Sequence, residues 1–282
     1  MKLNFEVNED VINNTNIELT DLNSELWSKY KSAYGMVWDE VKAITDELEG
    51  NGNDEFEDIF DNLYEKLTHQ MSFYNASYLA FPYMLKLLDK KTDEQDFDWQ
   101  LKLISTMGII VATDIENMHD AEDIDESLKE NFNKCITILV EKTKKFILEN
   151  IEQIAELDPD TKSFFYVSVL AILDDRKAAF AIIMGAFGEI NVVCDECGEY
   201  NEGMCCTCDE ECEEIEPAES VLEKWDGRNF DNTYMWYSNF LNIIGAEEEA
   251  NALSYYYGTY TCPECDKKFM VMDVVKAYYF EE

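Results

Sequence analysis

The sequence predicts a mostly α-helical fold, with antiparallel helix pairs stacked as an α-solenoid and a smaller cysteine-bearing module behind them. Three observations carry this expectation. Apolar residues recur at spacings of three and four through the first 190 residues. Only four prolines occur in 282 residues, which favours helices over a loop-rich sandwich. At Ile190 the character of the chain changes, and cysteine pairs and acidic runs take over from continuous helical patterning.

Each element follows from its own pattern. Leu22, Leu26, Trp27 and Tyr30 share one helical face, with Thr20 or Asp21 as cap. Val37, Val41, Ile44 and Leu48 share the next, which Gly50 and Gly52 end. Phe56, Ile59, Phe60, Leu63, Tyr64 and Leu67 make a stripe that runs to about His69. A helix from about Tyr74 to Leu88 contains Pro82, which should kink it or start it anew. The polar stretch Asp89–Asp98 leads to a helix near Trp99–Thr113, and Asp114–Glu126 reads as an exposed acidic loop. From Leu128 to about Leu157 the chain is helical again, broken near Asn150. Pro159 marks a turn before Thr161–Leu173 and Asp174–Phe187. The repeat is roughly 40 residues, the period of α-solenoids of the HEAT type. Beyond Ile190, Asn191–Val193 and Lys268–Met272 read as short strands, with helices near Asn232–Ile244 and Glu247–Tyr256 between them. Glu199–Glu219 reads as an acidic surface loop.

Charge excludes some partners. Sixty-one acidic residues against 22 basic ones give a net charge of −39. Such a chain repels nucleic-acid backbones and anionic membranes, so no direct nucleic-acid binding is expected and a basic protein partner is the natural complement. The plainer reading is an acidic surface that only keeps the protein soluble. The first residues lack an apolar signal core, and no apolar stretch reaches the 18 or so residues a membrane helix needs. A cytoplasmic location is the expectation, and there nine cysteines argue for metal rather than disulfides.

Cys194 and Cys197, and Cys262 and Cys265, form two Cys-x-x-Cys pairs. Two intervening residues let both thiolates of a pair face one tetrahedral ion at ~2.3 Å. A structural zinc is expected, with Gly198 relieving the turn after the first pair and Pro263 shaping the second. Reduced, metal-free thiols are the alternative, and a thioredoxin-like role lacks its βαβ surroundings. Cys205, Cys206, Cys208 and Cys212 could form a second metal site, supply a replacement ligand, or be spare thiols in a loop. Adjacent Cys205 and Cys206 make simple chelation awkward. Cys135 reads as a core residue. These signals divide the chain into a helical-repeat region, 1–189, and a zinc-ribbon-like module with a helical insertion, 190–282.

His69, beside Gln70, reads as a hydrogen-bonded interhelical residue or as part of a groove with Phe73, Tyr74 and Tyr78. That aromatic segment is expected to pack internally, with a groove-lining anchor as the alternative. Glu116 and His119 have the spacing of half a di-iron motif, but no second copy exists. No G-x-S-x-G, P-loop or G-x-G-x-x-G motif occurs. Four cysteine ligands close a zinc site and leave no position for a reacting water.

The segment from Leu67 to Leu85, in which His69-Gln70 is followed by a tyrosine, an alanine and Pro82-Tyr83, resembles bacterial HEAT-like repeat proteins of poorly defined function. Ser32-Ala33-Tyr34-Gly35 looks like the entry motif of that family. Cys194-x-x-Cys197-Gly198 and the run from Tyr257 through Cys262-Pro263-Glu264-Cys265 look like its C-terminal part. The likeness covers most of 27–187 and 190–273. Asp266, where a glycine often follows the second cysteine, and the extra cysteines at 205–212 depart from the pattern. Some members of such families act as immunity proteins beside toxins. The resemblance thus implies a non-enzymatic acidic binding module, in its most specific form an inhibitor that masks a basic toxin domain. A hydrolase with an acidic cleft and a purely structural scaffold are the alternatives.

Overall fold

The structure, a computed structural model, describes residues 3–115, 124–185, 189–194, 196–205, 222–227 and 231–280. Among them are twelve α-helices and two small antiparallel sheets. They gather into two compact units. One comprises Phe5–Glu149 and Pro159–Arg176, and the other is built chiefly from Asn150–Asp158 and Lys177–Glu282. Among the described residues no helix is long and apolar enough to cross a membrane.

The first unit is helical. α1 (Glu9–Asn14) starts where the Asn8 side chain accepts from the Asp10 and Val11 N–H groups at 3.1 and 3.3 Å. α2 is only Leu26–Lys29, shorter than the stripe from Leu22 implied. The reason lies in the Trp27 indole, which donates to the Asp21 carbonyl at 2.9 Å and anchors a turn where a helix would otherwise begin. α3 (Trp38–Leu48), α4 (Phe56–Thr68), α5 (Ser77–Asp93) and α6 (Phe97–Thr113) follow their apolar stripes. α5 runs through Pro82 as one helix, so the expected restart does not occur. Pro82 is buried and sits early in the helix, where the missing N–H forfeits one bond and tight packing of the neighbouring turns keeps the helix continuous. α7 (Glu126–Ala155) leaves helical geometry at Asn150, φ −124°, where the break was expected.

α6 lies at the centre of the unit, against α4, α5 and α8 (Pro159–Leu173). Gly108 makes the closest crossing: a Cβ there would collide with the Cβ of Ser168, whose hydroxyl donates to the Ser105 carbonyl at 2.8 Å. Phe132 of α7 receives Phe73, Tyr78 and Phe81 edge-on at 5.7, 5.1 and 4.8 Å. Cys135 is fully buried one turn on. The N-terminal strap is held to α7 by Asn131, which donates to and accepts from the backbone of Glu18, and by Glu141, which accepts from Asn8 N–H at 2.7 Å.

The second unit mixes strands and helices. After α9 (Arg176–Met184), β1 (Glu189–Val193) pairs antiparallel with β2 (Tyr200–Cys205). β2 corrects the reading of 199–219 as loop. Buried Ile190 and Val192 hold β1 in the core, and its backbone groups find their partner in the segment just beyond the cysteine turn. The remainder of that insert, from 206 on, lies outside the described residues. β3 (Leu222–Glu223), β4 (Thr259–Thr261) and β5 (Lys268–Met270) form the second sheet in that order. α10 (Asn232–Ile243) and α11 (Glu247–Tyr256) lie between β3 and β4 in the chain, where their patterns placed them. Lys268–Met272 was expected to be strand throughout, but α12 (Val271–Phe280) begins at Val271, because Val271, Met272, Val274 and Val275 share one buried helical face.

Candidate metal centre

The two Cys-x-x-Cys pairs occupy equivalent places. Cys194 and Cys197 form the tip of the β1–β2 hairpin, and Cys262 and Cys265 the tip of β4–β5. Each tip is the same turn. Cys194 N–H donates to the Glu199 carbonyl at 2.8 Å and Gly198 N–H to the Cys194 carbonyl at 2.8 Å. In the second hairpin Cys262 N–H donates to Lys267 and Asp266 N–H to Cys262, both at 2.9 Å. The residue after each second cysteine is left-handed, Gly198 at φ +74° and Asp266 at φ +59°.

The tips meet. The four sulfur atoms lie within 4.8 Å of one another, and Cys194 to Cys265 and Cys197 to Cys262 are each 3.6 Å apart. A tetrahedron with ~2.3 Å arms has edges of ~3.8 Å, so the four sulfurs are spaced for one ion of that size. Cys194 and Cys262 are buried, Cys265 half-buried and Cys197 exposed.

The surroundings favour the thiolate at Cys194 and oppose it at Cys197 and Cys265. Burial opposes ionisation of Cys194, but the N–H groups of Cys197 and Glu196 and the neighbouring thiols bring it down to about 7. The Glu199 N–H favours the Cys197 thiolate, yet burial and the thiols around it push that group up to about 12. Cys265 accepts from the Lys267 N–H and is likewise raised among its neighbours. Four thiolates this close repel one another, and a cation among them removes that conflict. Lys267 ion-pairs with Glu196 and so ties one tip to the other, and its ammonium also faces Cys194 and Cys265. The donor set, all thiol and closed, suits a tetrahedral structural metal. No sequence signal marked the Lys267–Glu196 pair, whereas the backbone donors follow from the Cys-x-x-Cys turn itself.

Other candidate residues divide. Phe73 and Tyr78 are buried on Phe132, and burial, aided by the Asp114 carboxylate against the opposing Arg176, pushes Tyr78 up to about 12. Tyr74 is half-buried and donates to the His69 carbonyl at 3.1 Å. His69 is half-buried and Gln70 exposed. Glu116, His119, Cys206, Cys208 and Cys212 lie outside the described residues, and Cys205 ends β2. Among the described residues the four-cysteine cluster is the one group arranged to hold a metal. No protein-family model, no curated protein and no solved structure matches this chain.

Proposed function

We propose that the chain is a non-enzymatic, acidic protein-binding module whose C-terminal unit is held by one structural zinc at Cys194, Cys197, Cys262 and Cys265, and whose helical pairs form a HEAT-like solenoid. The observation that carries the binding half is the net charge of −39, far beyond what solubility alone requires of a chain this size. A basic protein is the partner such a field attracts, and the most specific form of the reading is an immunity protein that covers a basic toxin domain. What supports zinc is the sulfur spacing and the closed all-thiol donor set. When bound, zinc supplies cross-linking of the two hairpins, while Gly198, Asp266 and the Glu196–Lys267 pair orient the tips.

Two measurements test this. Elemental analysis of protein purified without chelators should find at least one zinc per chain, and Cys265→Ser should release metal; a metal-free preparation with intact structure overturns the zinc assignment. Association with the native partner, identified by co-purification, should slow steeply as salt rises. A native partner that is itself acidic overturns the binding reading.

A further inference from the structure

Two turns meet at the C-terminal end of α4. In the first, Ser32 N–H donates to the Gly35 carbonyl at 2.8 Å, and Gly35 sits at φ +102°. This turn is pinned to the helix. Ala33 N–H donates to the Lys66 carbonyl at 3.1 Å, and the Lys66 ammonium donates to the Met36 carbonyl at 3.3 Å and to buried Glu40 at 2.6 Å. In the second turn the chain leaves α4 through His69, Gln70 and Met71. Gln70 and Met71 hold φ 53° and 54°, two successive non-glycine residues in the left-handed region. Backbone of that kind is retained where the surroundings fix it, and it clusters at ligand-binding places. The turns are bridged by their side chains: the Tyr34 hydroxyl is 2.9 Å from His69 Nδ1, with ring centres 4.8 Å apart.

The bridge leaves large apolar groups in solvent. Tyr34 is 55% exposed and Met36 51%. Tyrosine and methionine are residue types that interfaces enrich, and a side chain already fixed by a partner loses little entropy on binding. Asp39, next to Glu40, and Glu65, next to Lys66, are exposed carboxylates flanking the two turns in sequence. An exposed aromatic face attracts a cationic side chain, and the chain's net charge of −39 adds to that attraction. A second copy of this chain is a poor occupant, because two bodies of −39 repel each other.

We propose that this paired-turn surface of Tyr34, Met36, His69 and Met71 receives a lysine- or arginine-bearing segment of a basic partner protein. The inference rests on the basic-partner reading and adds its place on the chain. The test uses the full-length protein carrying ¹³C-methyl methionine, titrated at low ionic strength with a short alternating Lys-Gly peptide. The Met36 and Met71 methyl signals should shift and saturate, while those of Met184 and Met235, exposed or part-exposed elsewhere, stay in place. Tyr34→Ala should weaken peptide binding about fivefold and Tyr34→Phe much less, since the ring is retained. Circular dichroism confirms that both variants fold, which the exposure of Tyr34 favours. Shifts spread evenly over all exposed methionines, or Tyr34→Ala binding as well as the parent, overturn this surface and leave the basic-partner reading standing. No binding of the peptide at any methionine likewise overturns this surface.

Discussion

Asp266 holds φ +59° at the position where the first hairpin uses Gly198 at φ +74°. A side chain in that region costs roughly 1 kcal/mol, less for aspartate than for most residues. Asp266→Gly is therefore expected to stabilise the C-terminal unit by about 0.5 kcal/mol, and Gly198→Ala to destabilise it by about 1 kcal/mol, although no atom lies within 4 Å of the added Cβ. Thermal melts of the variants read both effects, and a more stable Gly198→Ala would contradict the geometry. At this scale the sequence was informative about the four cysteines, since Cys-x-x-Cys spacing fixes the local turn. The departure at Asp266 was visible in the sequence as well, but its left-handed backbone was not, because aspartate occurs in many conformations. The Glu196–Lys267 pair was hidden for a different reason: it joins residues 71 apart that only the meeting of the two tips brings together.

Helix crossings depend on single positions in the same way. A methyl group at Gly108 has to push α6 from α8, because the obstructing atoms belong to the Ser168 backbone and its short side chain. Gly108→Ala should cost about 1–3 kcal/mol despite its better helix propensity, measured by urea denaturation. Phe132→Ala, which removes the ring that Phe73, Tyr78 and Phe81 share, should cost about 3–5 kcal/mol. α3 and α5 are joined by charge: Glu47 accepts from Lys90 and Lys91, each at 2.9 Å. Burial opposes ionisation of Glu47, but the two ammonium groups outweigh it and hold the carboxyl below its ordinary 4.5. That contribution is fully present above pH 4.5 and is lost as pH falls through the depressed value. Glu47→Gln should therefore lower stability at neutral pH by about 1 kcal/mol and remove part of the decline on acidification. Elements with strong apolar stripes, α4, α6 and α8 among them, were legible before the structure. β2 was not, because Asn201, Glu202 and Gly203 interrupt its apolar residues and its place is dictated by the partner strand, and α2 was overread because an apolar spacing from Leu22 served indole anchoring rather than a helix.

For the molecule as a whole, 61 carboxylates against 22 basic groups mean that folding gathers like charge. Screening relieves that self-repulsion more than it weakens exposed ion pairs. Added sodium chloride is thus expected to raise the melting temperature at pH 7 by several degrees between about 0.02 and 0.3 M, where the Debye length falls from roughly 20 to under 10 Å. A melting temperature that falls with salt would show that the ion pairs dominate. Which charges face a partner was not legible from composition, since net charge speaks to association and not to location.

The four clustered cysteines lie far apart in order of synthesis: Cys197 and Cys262 are separated by 65 positions and Cys194 and Cys265 by 71. A ribosome adding about 5–20 residues per second needs roughly 3–14 s to cover that interval. Through that time the nascent chain carries Cys194 and Cys197 without the second pair that they meet in the folded unit. They are open to oxidants, and the C-terminal unit can close only when the last hairpin emerges.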